Sequence, residues 1–422
     1  MNKQKPRIQV QGGEYRIDAW NNAASGMGMP GIDKTLYGRF GTIGRLENSA
    51  LSLMYRYDWL SRKICDRPAS DAVRRWIKID GDNEGQIKSE LERLGAKQKI
   101  KKAIAWSRLY GGAAILLIVE DGRTPADPIS WASVHKVVDL KVADRYRLQP
   151  QGRIVDPYSV GFGEPEFYAL NNGTIFHHSR VLKFNGAELT QDDMETEQWW
   201  GGSYIELYNE AVRAFQASMQ DVRHIMTESS VGMLRIPGLT QSVAMGGTIF
   251  NIIQKRLDAF NLSKSVYRTA AMDKEEEFDF HSRQLAGLSD LLDRFMTQVS
   301  AATELGELVL FGTTPGGLNA SQEEQLASYD DVIRGIQEGD QMQALNAITA
   351  CLNGGTVPEW DYCPLREMSD TQKADVRLKE AQALQAIADV AAITPDQAIA
   401  HLNKTGHFDL EEGMDADWIE GE

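Results

Sequence analysis

Between Ser203 and Ser229 the chain contains no glycine and no proline. Within that stretch Ile205, Tyr208, Val212, Phe215, Met219, Val222 and Met226 recur at alternating steps of three and four residues. This is a heptad seam held for three repeats. It predicts one helix of about 27 residues, a rod of about 40 Å. Ser203 suits its N-cap, and Glu206 three residues later would complete a capping box. A rod this long in mid-chain must lie against something. It packs either on its own domain or beside copies of itself, with Glu206, Glu210, Arg213, Gln220 and His224 toward a water-filled space. Side-by-side association is the sharper expectation, because heterologous contacts close into rings where the rotation permits.

The segments around the rod read as a mixed α and β chain. Residues 51–120 predict helices, interrupted at Pro68, followed by a buried strand at the apolar run Ala113 to Val119. Residues 129–186 predict strands separated by Gly, Pro and Asn turns. After the rod, residues 231–281 read as a small insert of strands around a helix at about 247–260. A second rod from Ser282 to Leu305 presents Leu288, Leu291, Leu292, Phe295 and Val299 on one face. The loop that follows holds Gly312, Thr313, Thr314, Gly316, Gly317 and Asn319, and one helix is expected from Gln322 to Leu352. Residues 370–405 are Ala-rich and helical, with Thr394-Pro395-Asp396 opening a fresh helix. The last fourteen residues hold seven acids and no base and read as a solvated tail. The chain thus goes out along one rod, builds a head and returns along another.

Charge and motifs exclude several functions. Forty-five basic and sixty acidic residues leave a net charge of −15, which argues against a broad basic face gripping nucleic acid. Cys65, Cys351 and Cys363 are read as free thiols. The start has no apolar core behind its basic residues, so no signal peptide is read there, and no apolar run reaches the length of a membrane span. No phosphate-cradling loop, zinc-protease motif or nucleophile elbow is present, and no cofactor or metal is expected. The adjacent His177 and His178 should point to opposite faces of a strand. Lys97, Lys99, Lys101 and Lys102 form the clearest basic cluster, read first as a solvated helix face. Tyr110-Gly111-Gly112 reads as a turn into the buried strand, where glycine lets two backbones approach.

Four stretches carry a family resemblance. They are Trp59 to Ala69 with Asp71, Arg75 and Trp76; Ala105 to Ile115; Phe176 to Leu182; and Trp200-Gly201-Gly202-Ser203 leading into the rod. In this order, and with the rod–insert–rod layout, the sequence resembles the portal proteins of tailed bacteriophages. The resemblance implies an α+β portal-type fold with a mixed wing, a two-helix stem, a small clip and a helical crown. Its boundaries would be a flexible arm at 1–50, the N-terminal part of the wing at 51–202, the first stem helix at 203–230 and the clip at 231–281. The second stem helix would follow at 282–306, a tunnel loop at 307–321, a wing helix and return at 322–369, and the crown with its acidic tail at 370–422. A second register takes 247–262 as the returning stem helix.

The resemblance further implies a ring of about twelve copies at one capsid vertex, in the virion and, during assembly, in the host cytoplasm. Double-stranded DNA would pass through it, and a terminase motor, a head–tail adaptor and a major capsid or scaffolding protein would dock on it. Glu206, Glu210, Arg213 and Gln220 would then face the channel, Gly312 to Asn319 would form its narrowest point, and no enzymatic activity or membrane is implied. Some relatives carry a fused phosphodiesterase that degrades cyclic oligonucleotide signals. Such an enzyme needs two His-x-[Ser/Thr] motifs, and this sequence has one, His177-His178-Ser179, so that activity is not carried over. A cyclic-oligonucleotide phosphodiesterase of that fused type, or another ring-forming head–tail connector, remains the alternative.

Overall fold

A computed structural model describes residues 9–10, 13–14, 45–79, 84–159, 161–228, 230–235, 255, 277–282, 287–313, 322–366 and 370–390. The arm expected at 1–50, the helix expected at 247–260, the acidic tail and the second register of the returning helix lie largely or wholly outside these residues.

After a short antiparallel pair at Gln9–Val10 and Gly13–Glu14, the helices begin with α1 (Asn48–Tyr57) and α2 (Trp59–Ala72). Asp58 separates them and caps α2, its carboxylate accepting from the backbone N–H groups of Leu60 and Ser61 at 3.2 and 3.0 Å. Pro68 does not interrupt α2, contrary to the sequence expectation. It removes one N–H from the interior and leaves the Ile64 carbonyl without its usual donor four residues on. Arg108 Nε donates to that carbonyl at 3.1 Å instead. Strand β1 (Ile77–Ile79), α3 (Glu84–Arg93) and α4 (Ala96–Tyr110) follow. Helix α4 ends at Gly111, whose φ of 84° is the left-handed cap that glycine adopts without penalty.

The predicted buried strand is β2 (Gly112–Glu120), the middle of a three-stranded antiparallel sheet with β3 (Lys136–Asp144) and, further along, β7 (Val181–Asn185). Ile115 sits opposite Val142 on one neighbour and Leu182 on the other. The run is continuously apolar because both faces are covered. Ile115 and Leu117 join the helical core with Leu60, Ile64, Ile100 and Leu109. Ala114 and Leu116 meet a second core of Leu148, Tyr168, Phe176 and Trp200. The meander β4 (Leu148–Gln151), β5 (Phe167–Leu170) and β6 (Ile175–His177) supplies Leu148, Tyr168, Leu170 and Phe176 to the second core.

After a short α5 (Gln191–Thr196), the rod is α6, Tyr204–Glu228, 25 residues long. It runs into β8 (Ser230–Arg235), which pairs antiparallel with β9 (Glu277–Ser282) in the register Ser230 to Ser282. The chain therefore does go out and come back. The returning helix, α7 (Leu288–Thr303), is shorter than predicted: 16 residues, beginning after Gly287 at φ 90°. A short α8 (Glu307–Leu310) follows. The single helix expected over 322–352 is broken into α9 (Gln322–Ile336) and α10 (Met342–Leu352) by a π turn at Gln337–Gln341. Gly339 leaves the helical region there, with ψ −129°. Leu345 and Ile348 of α10 are fully buried, and β10 (Trp360–Tyr362) pairs with β1, so the last third of the fold closes on the first. Helix α11 (Asp370–Val390) ends the described chain. The fold is α+β. Among the described residues no helix is long and apolar enough to cross a membrane.

Candidate channel and assembly surfaces

The long helix begins at a joint made of backbone. Ser203 Oγ donates to the Leu109 carbonyl at 2.6 Å and accepts from the N–H groups of Ile205 and Glu206 at 3.1 and 3.4 Å. It is the predicted N-cap. The capping box does not close: the Glu206 carboxylate accepts from the Leu46 N–H at 2.7 Å, fixing the chain ahead of α1. Around Ser203 two motifs distant in sequence meet. A Cβ on Gly111 would stand 2.4 Å from the Gly201 carbonyl oxygen, and one on Gly186 would stand 2.1 Å from that of Gly202. Gly112 lies under the Trp200 indole, where a Cβ would be 2.4 Å from the ring. Glycine is required here because side chains would occupy the space of neighbouring backbone. Arg145, itself buried, donates to the Gly201 carbonyl at 3.0 Å and pairs with Glu197.

Above the joint, Ile205, Tyr208, Val212 and Phe215 are buried against α2, α4 and α7. The near half of the seam thus packs on its own fold. Met219 and Val222 are half-buried, Ile225 is 40% exposed, and the side chain of Met226 is outside the described residues. The partner helix repeats this gradient. Val299 is buried, Phe295 and Leu292 are half-buried, and Leu291 is 51% exposed. Among the residues expected to face a channel, Glu210, Arg213 and Gln220 are exposed, whereas Glu206 is half-buried and engaged with Leu46.

The Gly-rich loop leaves the fold from a fixed point. Leu310 is fully buried and its carbonyl accepts from Lys63 Nζ at 2.6 Å. The Phe311 ring lies 5.4 Å from that of Phe215 and 6.2 Å from that of Trp59. Gly312 then turns at φ 79° with open space around it, and Thr313 is exposed. Thr314, Gly316, Gly317 and Asn319 lie outside the described residues. Sequence reading misses Phe311, which gives no signal, and also misses the role of Arg108. Arg108 does leave a trace: it falls on the apolar face of α4, one turn after Ile104.

The remaining chemical candidates are occupied structurally. His177 and His178 do not point to opposite faces. His177 ends β6, a 3₁₀ turn begins at His178, and the two rings lie 4.3 Å apart. Burial holds both imidazoles below their usual range, His178 adding its charge against His177. The backbone N–H of Ser179 donates to His177 Nδ1 at 3.2 Å, while Ser179 Oγ lies 2.9 Å from the same nitrogen and accepts from the Ile129 N–H at 3.0 Å. Among the described residues no group of acids, histidines and cysteines could hold a metal ion. Lys97 donates to the Arg74 carbonyl, Lys99 pairs with Asp139 and Lys102 lies over Trp106, so most of the basic cluster is engaged with its own chain. The three cysteines are free thiols, and burial pushes that of Cys65 up to about 12. Arg180 and Asp121 form a fully buried pair at 2.6 Å.

Comparison with known proteins gives this geometry its context. A curated protein of Sphingomonas paeninsulae, the anti-CBASS protein Acb1, is 27% identical over 405 residues, covering 91% of this chain and 64% of that protein. A second protein of that name, from a Caulobacter species, is 23% identical, and this chain spans 58% of its length. An uncharacterized protein of Haemophilus influenzae is 26% identical over 387 residues, covering 87% of each. Among solved structures, a chain in the neck of an empty gene transfer agent particle is similar in fold. It has a TM-score of 0.55 at 12% identity and covers 87% of this chain and 95% of that one. A chain of the native particle's neck, computed with C12 symmetry, has a TM-score of 0.51 at 12% identity, covering 83% and 92%. The family model described as phage portal protein matches residues 49–386, from the first residues of α1 through most of α11, and the chain belongs to that family.

Proposed function

We propose that the chain is the subunit of a portal ring at one capsid vertex, through which double-stranded DNA is packaged and ejected. The observation that carries this reading is the gradient along the paired helices α6 and α7. The seam residues at their roots, Ile205, Tyr208, Val212 and Val299, are buried in the fold, while Leu291 and Ile225, farther out, leave apolar surface uncovered, as does Leu207 on the other side of the α6 root. Copies set side by side would cover it, and a closed ring of about twelve satisfies every copy equally. In this reading residues 51–202 and 322–369 form the wing, 203–230 and 282–306 the stem, 231–281 the clip, 307–321 the tunnel loop and 370–422 the crown.

A wall that passes a polyanion should not pair with it strongly. The net charge of −15 and a loop of Gly, Thr and Asn suit sliding contact. A terminase motor and a head–tail adaptor would dock at the clip, and capsid or scaffolding protein at the outer wing. The name anti-CBASS belongs to relatives longer than this chain. The one His-x-Ser here is engaged in a turn against Ile129, which supports a structural, non-enzymatic role.

Electron microscopy and native mass spectrometry of the purified chain should find rings with a central hole, and incubation with cyclic oligonucleotides should leave them intact. In a packaging reaction the double substitution T313K/T314K should slow translocation. A chain that stays monomeric at every concentration, or that cleaves the nucleotides, would refute the reading.

A further inference from the structure

At the turn from α1 into α2 the chain presents an aromatic and basic elbow. Leu53, Tyr57 and Trp59 are 55%, 72% and 56% exposed. Leu53 and Tyr57 stand four residues apart on α1 and so share one face of it, and Trp59 opens α2 after the single-residue break at Asp58. The side chains around them are held in place. Arg56 lies over the Tyr57 ring at 5.3 Å, Arg62 lies over the Tyr55 ring at 5.5 Å, and the Trp59 ring meets that of Phe311 edge-on. Tyrosine, tryptophan and arginine are the residues that most often anchor protein interfaces, and the two aromatics lose little freedom on docking.

The charges of the elbow are sorted by direction. Its acids are used inside the fold: Asp58 caps α2, Asp66 accepts from the Tyr55 hydroxyl at 2.6 Å, and the buried Asp71 accepts from that of Tyr329 at 2.8 Å. Arg56 and Arg62 are exposed, and among the described residues Arg56 makes no ion pair. The whole chain carries −15, so another copy offers a surface opposite in charge to the elbow. Five acids and no base lie between Gly186 and Trp199, and Asp192, Asp193 and Glu195 among them are exposed on α5. Double-stranded DNA would satisfy the arginines but not the apolar groups, because its bases are stacked and offer no open face to Tyr57 and Trp59.

The elbow is also continuous with the seam of the long helix. Trp59 packs on Phe311 at 6.2 Å, and Phe311 packs on Phe215 at 5.4 Å. One turn beyond Phe215, the half-buried Met219 begins the partly covered half of the seam. We propose that Leu53, Arg56, Tyr57 and Trp59 dock on an acidic face of a second copy of this chain, so that neighbours touch through α1 and α2 as well as through α6 and α7. The inference deepens the ring reading and rests on it.

The test compares the full chain with Arg56→Glu and with the double variant Arg56→Glu/Tyr57→Ser. Both side chains are exposed, and an unchanged melting curve, taken below the concentration of association, establishes that the variants fold. Assembly is followed by native mass spectrometry over a concentration series. The concentration at half-assembly should rise at least about tenfold in the double variant, and the effect of Arg56→Glu alone should shrink as salt is raised. Should serine at 57 lower the melting point, Arg56→Glu and its salt dependence decide. A wild type that forms rings and variants that form them at the same concentration overturn the proposal and leave the ring reading standing. Variant rings that assemble normally but bind duplex DNA less well would assign the elbow to nucleic acid, which also overturns it. A wild type that stays monomeric at every concentration refutes the ring reading and this proposal together.

Discussion

Replacing Arg108 with methionine isolates the device that lets α2 carry a proline in its interior. Methionine keeps the apolar stem but removes the donor to the Ile64 carbonyl and the stack on Tyr204. A buried carbonyl stripped of its donor costs about 1–3 kcal/mol, and a desolvated cation–π contact is worth about 2 kcal/mol. R108M should therefore destabilise the protein by about 3–5 kcal/mol. In a P68A background the backbone N–H restored at that position reaches the Ile64 carbonyl from within the helix, four residues along. Only the stack is then at stake, and the same substitution should cost about 2 kcal/mol. The coupling between the two sites is the difference, about 1–3 kcal/mol. Urea unfolding of the four proteins, at concentrations below self-association and with equal slopes, measures it from the midpoints. A coupling below about 0.5 kcal/mol would refute the idea that Arg108 substitutes for the missing backbone donor.

Two further outcomes test the packing around the joint and the second core. Gly186→Ala places a methyl 2.1 Å from the Gly202 carbonyl and 2.7 Å from Gly111 Cα. It should lower stability by at least about 1–3 kcal/mol, read as a fall in the thermal midpoint and in protection of the Ser203–Ile205 amides. Asp121→Asn leaves the buried Arg180 without its counter-charge and should cost about 3–5 kcal/mol. Burial raises the Asp121 carboxyl, but the Ser130 N–H, the Arg180 guanidinium and the Arg123 N–H hold it below the usual carboxylate range. A depressed carboxylate contributes stability that is present above the unfolded pKa of about 4 and is lost as the pH falls through the folded value. An acid titration of stability below about pH 4 should therefore be flatter in the variant than in the wild type, and equal slopes would contradict the assignment.

The elements set by periodicity are legible in the residues. The rod at 204–228, the doubly buried strand at 112–120 and the out-and-back layout all follow from spacing, because a long apolar seam at steps of three and four admits few other conformations. Pro68 misleads, since the compensating donor lies on another helix, at Arg108, and no local rule reveals it. Gly339 hides inside a helical pattern, although glycine is the weakest point of any such run. The histidine pair departs from expectation because the strand ends between the two residues. The seam itself has two destinations where spacing suggests one. Its first half meets the chain's own helices, whereas its far half is only partly covered. The mooring at Phe311 has no sequence signal, because an aromatic beside a Gly-rich loop looks the same whether it is packed or free.

That mooring governs how load would travel. Force arriving at Gly312 from the downstream chain would meet a glycine at positive φ, then a ring packed against Phe215 and Trp59, then a carbonyl tethered to Lys63. In the proposed portal reading, a polymer pulling on the loop would load α2 and the root of α6 together, rather than α8 alone.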